Sequence, residues 1–198
     1  MTPATPEVAV QRLQALLALG PMLIAHYGGE AEVVREVYHE AQMLSEAVGT
    51  VTQQFAALCG FWVYAITRAE PEQTRLYAPK LLELACDSGE ATILQDGHHV
   101  MGNIAFRQGK LLRARQHLTE SVAQPNVTSA GMFTSLQSVE SRIASGGYPA
   151  WVLFVLGYPD QARQSLNRRS SPPVPVKWVR QQTRHFCGIV LELMVRPY

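Results

Sequence analysis

The stretch GNIAFRQGKLLRARQHLTESVA, residues 102–123, decides the fold. Two small residues in it, Gly102 and Ala114, lie twelve positions apart on either side of the pair Gly109-Lys110. Apolar residues recur at helical spacing both before and after that pair. This pattern predicts two helices joined by a tight turn, with the small side chains at the point where the helices cross.

The same spacing recurs along the chain. Ala150 and Ala162 are again twelve positions apart, and steps of 40 residues back from Ala114 reach Thr74 and Val34. A period of this length is typical of arrays of helical hairpins. The sequence therefore predicts an all-α, tetratricopeptide-like superhelix as one domain over residues 1–198. Hairpins are expected at about 7–48, 52–88, 91–123 and 140–169, followed by a terminal helix at 177–195.

Glycine and proline mark most of the expected breaks. Gly20-Pro21 is expected to break or bend the first helix, and Thr52 is expected to open the second hairpin. Residues 126–147 are rich in Ser, Thr and Gly, which favours a loop leading into a weak helix. The terminal helix carries apolar residues with no following partner, a pattern that indicates a homodimer or a truncated array.

The amino-acid composition limits the classes of protein to which this chain can belong. The 198 residues are 47% hydrophobic, enough for a core, and a formal net charge of +1 gives no general attraction to nucleic acid or anionic membrane. The N-terminus lacks a secretory pattern, and no apolar run approaches the roughly 20 residues that a membrane span needs. Three well-separated cysteines favour buried free thiols. We expect a cytoplasmic protein.

One family resemblance is carried by GYPDQA at residues 157–162, together with the preceding Ala150-Trp151 and Leu156. With residues 58–62, 68–70 and 81–85, this segment resembles the tetratricopeptide arrays that follow nucleotide-binding ATPase modules in bacterial signalling proteins, often with a class III adenylate cyclase domain. The resemblance implies a helical array in bacterial signal transduction. It implies no catalytic residue, because the family's ATPase and cyclase activities lie in other domains.

The motifs that suggest catalysis or cofactor binding have simpler interpretations. Gly102 and Gly109-Lys110 do not form a phosphate-binding loop, because six residues separate the glycines and Leu111 follows the lysine. His98 and His99 point about 100° apart on a helix, with no acidic or thiol residue three or four positions later. We therefore expect one histidine to be packed and the other to face solvent or the groove. The sequence predicts no catalytic residue, no cofactor and no metal site.

The first helix of each hairpin in such an array lines a concave groove, which is the default binding surface. Counting from the small-residue positions gives mostly apolar groove candidates, a composition that suits an amphipathic helix of a protein partner or a neighbouring domain. The chain's own terminal helix is an alternative occupant. The candidates are Leu23, His26, Val63, Ile66, His99, Asn103, Phe106, Arg107, Trp151 and Phe154.

A basic segment is the strongest charge feature. No acidic residue interrupts it, and Trp178 adds a flat ring. Its cations are Arg163, Arg168, Arg169, Lys177, Arg180 and Arg184. The sequence therefore leaves three functions open: a non-enzymatic interaction scaffold as the first, a small-ligand-sensing regulator, and binding of nucleic acid or an acidic partner through this segment.

Overall fold

The computed structural model describes residues 5–123 and 139–169. The chain divides into two compact units, Met1–Ser138 and Val139–Tyr198. Every regular element in the described ranges is an α-helix, which confirms the predicted fold class. The first unit contains α1 (Pro6–Tyr27), α2 (Glu32–Val48), α3 (Val51–Thr67), α4 (Pro71–Ser88), α5 (Ala91–Arg107) and α6 (Leu111–Ala123), and the second contains α7 (Val139–Val155) and α8 (Pro159–Arg169).

The helices pack in the order of the chain. In the first unit α1 packs on α2, α3 on α4 and α5 on α6, and successive hairpins join through α2 with α3 and α4 with α5. In the second unit α7 packs on α8. The four predicted hairpins are therefore present. The predicted terminal helix at 177–195, and the dimer contact assigned to it, lie outside the described residues.

Gly20 and Pro21 do not break the expected first helix, and the expected start of α3 is wrong. The helix α1 runs unbroken through Gly20 and Pro21, because Gly20 lies on its buried face, where packing against α2 supports the helix. Helix α3 is capped by Thr50 rather than opened by Thr52. The Thr50 hydroxyl accepts from the Gln53 backbone N–H at 3.3 Å, and the Gln53 side chain accepts from the Thr50 N–H at 2.9 Å.

The predicted crossing of α5 and α6 is confirmed. Ala114 is completely buried, and a Cβ atom added to Gly102 would lie 2.6 Å from Cγ of Leu118. Gly102 thus faces α6 and lets the two helices approach closely. The corresponding small-residue positions Val34, Thr74 and Ala162 are buried as well.

One backbone turn recurs at the ends of α3, α5 and α7. In each turn a residue with positive φ follows the helix, and the next N–H donates to a carbonyl five residues back, as in a Schellman motif. The positive-φ residues are Ala69 (55°), Gly109 (70°) and Gly157 (88°), and the hydrogen bonds run from Glu70 to Ala65 (2.9 Å), Lys110 to Ala105 (2.8 Å) and Tyr158 to Leu153 (2.9 Å). The repeat is therefore conformational as well as sequential.

Ala69 is the one non-glycine residue with positive φ in the described ranges. Ala69→Gly is expected to raise the free energy of unfolding by about 0.5–1 kcal/mol, because glycine adopts this conformation without the steric penalty of a Cβ atom. The reverse exchange, Gly109→Ala, is the matched control. It is expected to lower stability by about 1 kcal/mol through the backbone alone, since no atom lies within 4 Å of the added Cβ. Urea unfolding followed by circular dichroism measures the stability of both variants. An unchanged unfolding midpoint in both would contradict the proposed steric cost of a Cβ atom at positive φ.

The core of the first unit is centred on α3. Residues 55–65 are buried on every face of that helix. Tyr38 of α2 is fully buried beside it, and its ring lies against Gly60 of α3 while its hydroxyl lies against Gly20 of α1. These two glycines are 40 residues apart, one step of the predicted period. Tyr38 therefore ties the first hairpin to the second.

The two cysteines in the described ranges, Cys59 and Cys86, differ in burial. Cys59 lies in the core of α3, where burial, and then the charge of Asp96, raise the pKa of its thiol. Cys86 is exposed near the end of α4, so the expectation that it is a buried thiol is wrong. The reason is that Cys86 falls outside the buried stripe formed by Leu81, Leu84 and Ala85.

Candidate functional site

The groove candidates on α1 and α3 lie mostly in the core. Val63 is only 6% exposed and belongs to the main apolar cluster, and Leu23 and Ile66 pack against that cluster. His26 alone among them is exposed. These positions therefore do not form the open apolar groove that the sequence predicts.

The candidates on α5 are buried as well. His99, Asn103 and Phe106 are each less than a tenth exposed, and Arg107 is half-buried. The Arg107 Nε donates to Oδ1 of Asn103 at 3.1 Å, one turn earlier on the same helix. This face of α5 combines buried polar and apolar groups and presents little surface to a partner.

The candidates of the second unit are more open. Trp151 is half-buried and makes an edge-to-face contact with Tyr148, at a centroid distance of 5.2 Å. Phe154 is 66% exposed. Both residues lie on α7, in the hairpin that α7 forms with α8.

The basic segment is described only in part. Arg163 is exposed on α8, where its guanidinium pairs with Oδ1 of Asp160 at 3.3 Å. Arg168 and Arg169 fall in the last turn of α8. Lys177, Arg180 and Arg184 lie outside the described residues.

An exposed apolar surface that the sequence reasoning missed lies on α1. Ala15, Leu19, Met22 and His26 follow one another at four-, three- and four-residue spacing, which places them on one face of the helix, and all four are exposed. We call this surface the α1 stripe. The opposite face holds the buried residues of α1, which are Leu13, Gly20 and Ile24. Helix α1 is therefore apolar on both its packed and its open sides.

The apolar character of α1 has a second consequence. Among the described helices, α1 is long and apolar enough by length and composition to span a membrane, with a mean hydropathy of 1.5 over its best window. The sequence reasoning found no such segment, because isolated polar residues such as Gln11 and Arg12 interrupt the apolar run. Core helices of soluble proteins meet the same criterion, so the property does not fix a location.

A cluster of potential ligands occupies the α5–α6 hairpin. Nδ1 of His98 lies 3.1 Å from Nδ1 of His117 and 3.0 Å from Oε2 of Glu120. One ligand atom from each of the three residues lies within 4.8 Å of the other two, and all three residues are half-buried. His117 and Glu120 are three positions apart on α6, so both point toward α5.

Neighbouring side chains shape this cluster. Burial lowers the pKa of His117, and the adjacent His98 lowers it further, while Glu120 opposes the shift and Arg113 reinforces it. Gln116 donates from Nε2 to Oε1 of Glu120 at 3.3 Å, which leaves Oε2 facing His98. The surroundings thus favour neutral imidazole at His117 and orient the carboxylate.

The expectation for the His98-His99 pair is confirmed in part, since His99 is packed, but His98 turns toward α6 rather than toward solvent. The residues within one helical turn of these histidines give no sign of the cluster. The missed signal is the hairpin itself, because helices that cross at Gly102 bring residues near 98 opposite residues near 117.

Comparison with protein-family models, curated proteins and solved structures gave no significant match for this chain.

Proposed function

We propose that this chain is a non-enzymatic protein-interaction scaffold of tetratricopeptide type, which binds an amphipathic helix of a partner protein or neighbouring domain. The observation that carries the proposal is the α1 stripe. It presents apolar side chains to solvent at the outer face of the first hairpin, with Leu19 42% and Met22 67% exposed.

The composition of the α1 stripe fits a helical partner. A row of apolar side chains at helical spacing is the surface on which the apolar face of another helix packs. Met22 is unbranched and polarizable, which lets it adapt to differently shaped partners. His26 and the exposed Tyr27 supply polar atoms at one end of the row. Contiguous exposed apolar surface is a feature of protein interaction sites, which supports this use of the α1 stripe.

The biological setting is part of the same proposal. The resemblance of residues 157–162 to arrays from bacterial signalling proteins favours a regulatory role in the cytoplasm, beside an ATPase or cyclase domain in the same or another chain. The three stacked hairpins of the first unit supply a rigid support for such a role, since α2 packs on α3 and α4 packs on α5.

Affinity capture of the tagged full-length chain from its source cells, with mass spectrometry, tests the proposal. The parent is expected to retain a specific protein, and Met22→Glu is expected to reduce its recovery by at least about tenfold, because a carboxylate cannot be buried against an apolar helix without a partner. Direct binding of the purified pair then measures the same ratio.

Leu112→Glu is the matched control. Leu112 is 74% exposed on α6, so the exchange adds the same charge to the same kind of helical surface away from the α1 stripe. It is expected to leave recovery unchanged. Equal recovery with the parent and Met22→Glu would overturn the assignment of the α1 stripe, as would recruitment of the parent to lipid vesicles with no bound protein.

A further inference from the structure

We propose that His98, His117 and Glu120 bind one divalent transition-metal ion of the zinc type across the α5–α6 hairpin. The site is independent of the α1 stripe, because its three residues belong to other helices. It would act as a clip between the helices of the third hairpin.

The distances match shared coordination. Ligands bound tetrahedrally to zinc at about 2.1 Å lie roughly 3.4 Å from one another. The two separations from Nδ1 of His98, 3.1 Å to Nδ1 of His117 and 3.0 Å to Oε2 of Glu120, are within a few tenths of an ångström of that value. The remaining separation is at most 4.8 Å. The Glu120 side chain is 42% exposed, so a small rotation brings its oxygen into place.

Hydrogen bonding alone satisfies this cluster poorly. The Nδ1 atom of His98 can carry one proton, yet it faces two acceptors, the Nδ1 of His117 and the carboxylate of Glu120. If that proton points to Glu120, the Nδ1 of His117 receives no hydrogen bond from His98, and if it points to His117, the carboxylate of Glu120 receives none. A cation placed between the three groups accepts a lone pair from each at once. The convergence of donors therefore fits an ion better than a proton network.

The donor set selects the kind of ion. Two imidazole nitrogens and one carboxylate suit Zn²⁺, Co²⁺, Ni²⁺ or Cu²⁺, whereas Ca²⁺ and Mg²⁺ prefer a shell of oxygens. The hydrogen bond from Gln116 to the other oxygen of Glu120 holds the carboxylate as outer-shell partners do in metal sites. Three protein ligands with partial exposure leave room for water as a further ligand.

Isothermal titration of the metal-free, full-length chain with Zn²⁺ tests the proposal. Cys86, which is exposed, and Cys187, which lies outside the described residues, are first replaced by serine, because a free thiolate is itself a metal ligand. We expect one Zn²⁺ per chain, and a Tm raised by about 5 °C when the site is saturated. His117→Gln is expected to weaken binding by at least about 100-fold, and Glu120→Gln by at least about tenfold, because each removes a ligand.

His39→Gln is the matched control, since His39 is an exposed histidine on α2 that lies outside the cluster. It is expected to bind Zn²⁺ like the parent. Circular dichroism of each metal-free variant checks that it is folded, and Glu120→Gln, an isosteric change at a half-buried position, preserves the test if His117→Gln does not fold. Binding that is absent from the parent, or unchanged in the folded cluster variants, would overturn the site and leave a hydrogen-bonded cluster.

Discussion

Gly60→Ala is expected to lower the free energy of unfolding of the first unit by about 3 kcal/mol, the upper end of the range for overpacked cores. The added Cβ would lie 2.1 Å from the ring of Tyr38, which is completely buried. The ring cannot retreat, because its hydroxyl already lies against Gly20, where a Cβ would meet it at 2.3 Å. Urea unfolding followed by circular dichroism measures the loss.

A double-mutant cycle separates this steric effect from any other. Tyr38→Leu removes the ring. In that background Gly60→Ala is expected to be nearly neutral, because the helix propensity that alanine gains over glycine, about 1 kcal/mol, offsets the steric cost that remains. Gly147→Ala in α7 is the control, since its Cβ would meet Trp151 at an ordinary 3.6 Å. It is expected to cause no loss. The same loss from Gly60→Ala with and without Tyr38 would contradict the proposed contact.

The hairpins could be predicted from sequence because their signals are local. A turn such as residues 68–70 or 108–110 is fixed by a few adjacent residues, and the buried faces follow from apolar spacing along one helix. The 40-residue period relates Thr74 to Ala114, and the structure buries both. Errors fall at helix ends and at Pro21, where tertiary packing outweighs the local preference.

The binding surface could not be predicted in the same way. The solvent exposure of Val63 or Phe106 depends on which helices pack on α3 and α5. The sequence of one repeat does not show how the neighbouring repeats pack on it. The composition of α3 indicates a broad apolar face, yet residues 55–65 are buried all round. The open apolar surface instead lies on α1, which packs mainly on α2 and leaves its opposite face exposed.

The metal-ligand cluster illustrates a second limit. His98 and His117 are 19 positions apart, and nothing in either local sequence pairs them. Their approach depends on the separation of α5 and α6 and on the rotation of each helix, both of which follow from packing. The sequence places His117 and Glu120 on one face of α6, but two potential ligands do not predict a metal site without a third.

The second large effect is expected from Gly102→Val. The Cβ atom would lie 2.6 Å from Cγ and 3.3 Å from the backbone nitrogen of Leu118, which is itself 1% exposed, so the side chain of Leu118 has little space to yield. Two further methyl groups enlarge the clash. We expect a loss of about 3 kcal/mol in the free energy of unfolding, partly restored when Leu118→Ala is added. The conservative change Met101→Val, one position away and half-buried, is expected to lose no more than about 1 kcal/mol.

The same variant connects the helix crossing to the metal site. His98 lies one turn before Gly102 on α5, and His117 is adjacent to Leu118 on α6, so forcing the helices apart at Gly102 separates the imidazoles without changing any ligand. Zn²⁺ affinity in folded Gly102→Val is therefore expected to fall by at least about tenfold and to recover with Leu118→Ala. Retained affinity in a destabilised but folded Gly102→Val would mean that the ligands are held by contacts other than the crossing. A ligand set held by one helix alone would keep its Zn²⁺ affinity when the helix crossing is disturbed. If stability and Zn²⁺ affinity fall together in Gly102→Val and recover together with Leu118→Ala, both therefore depend on the approach of α5 and α6.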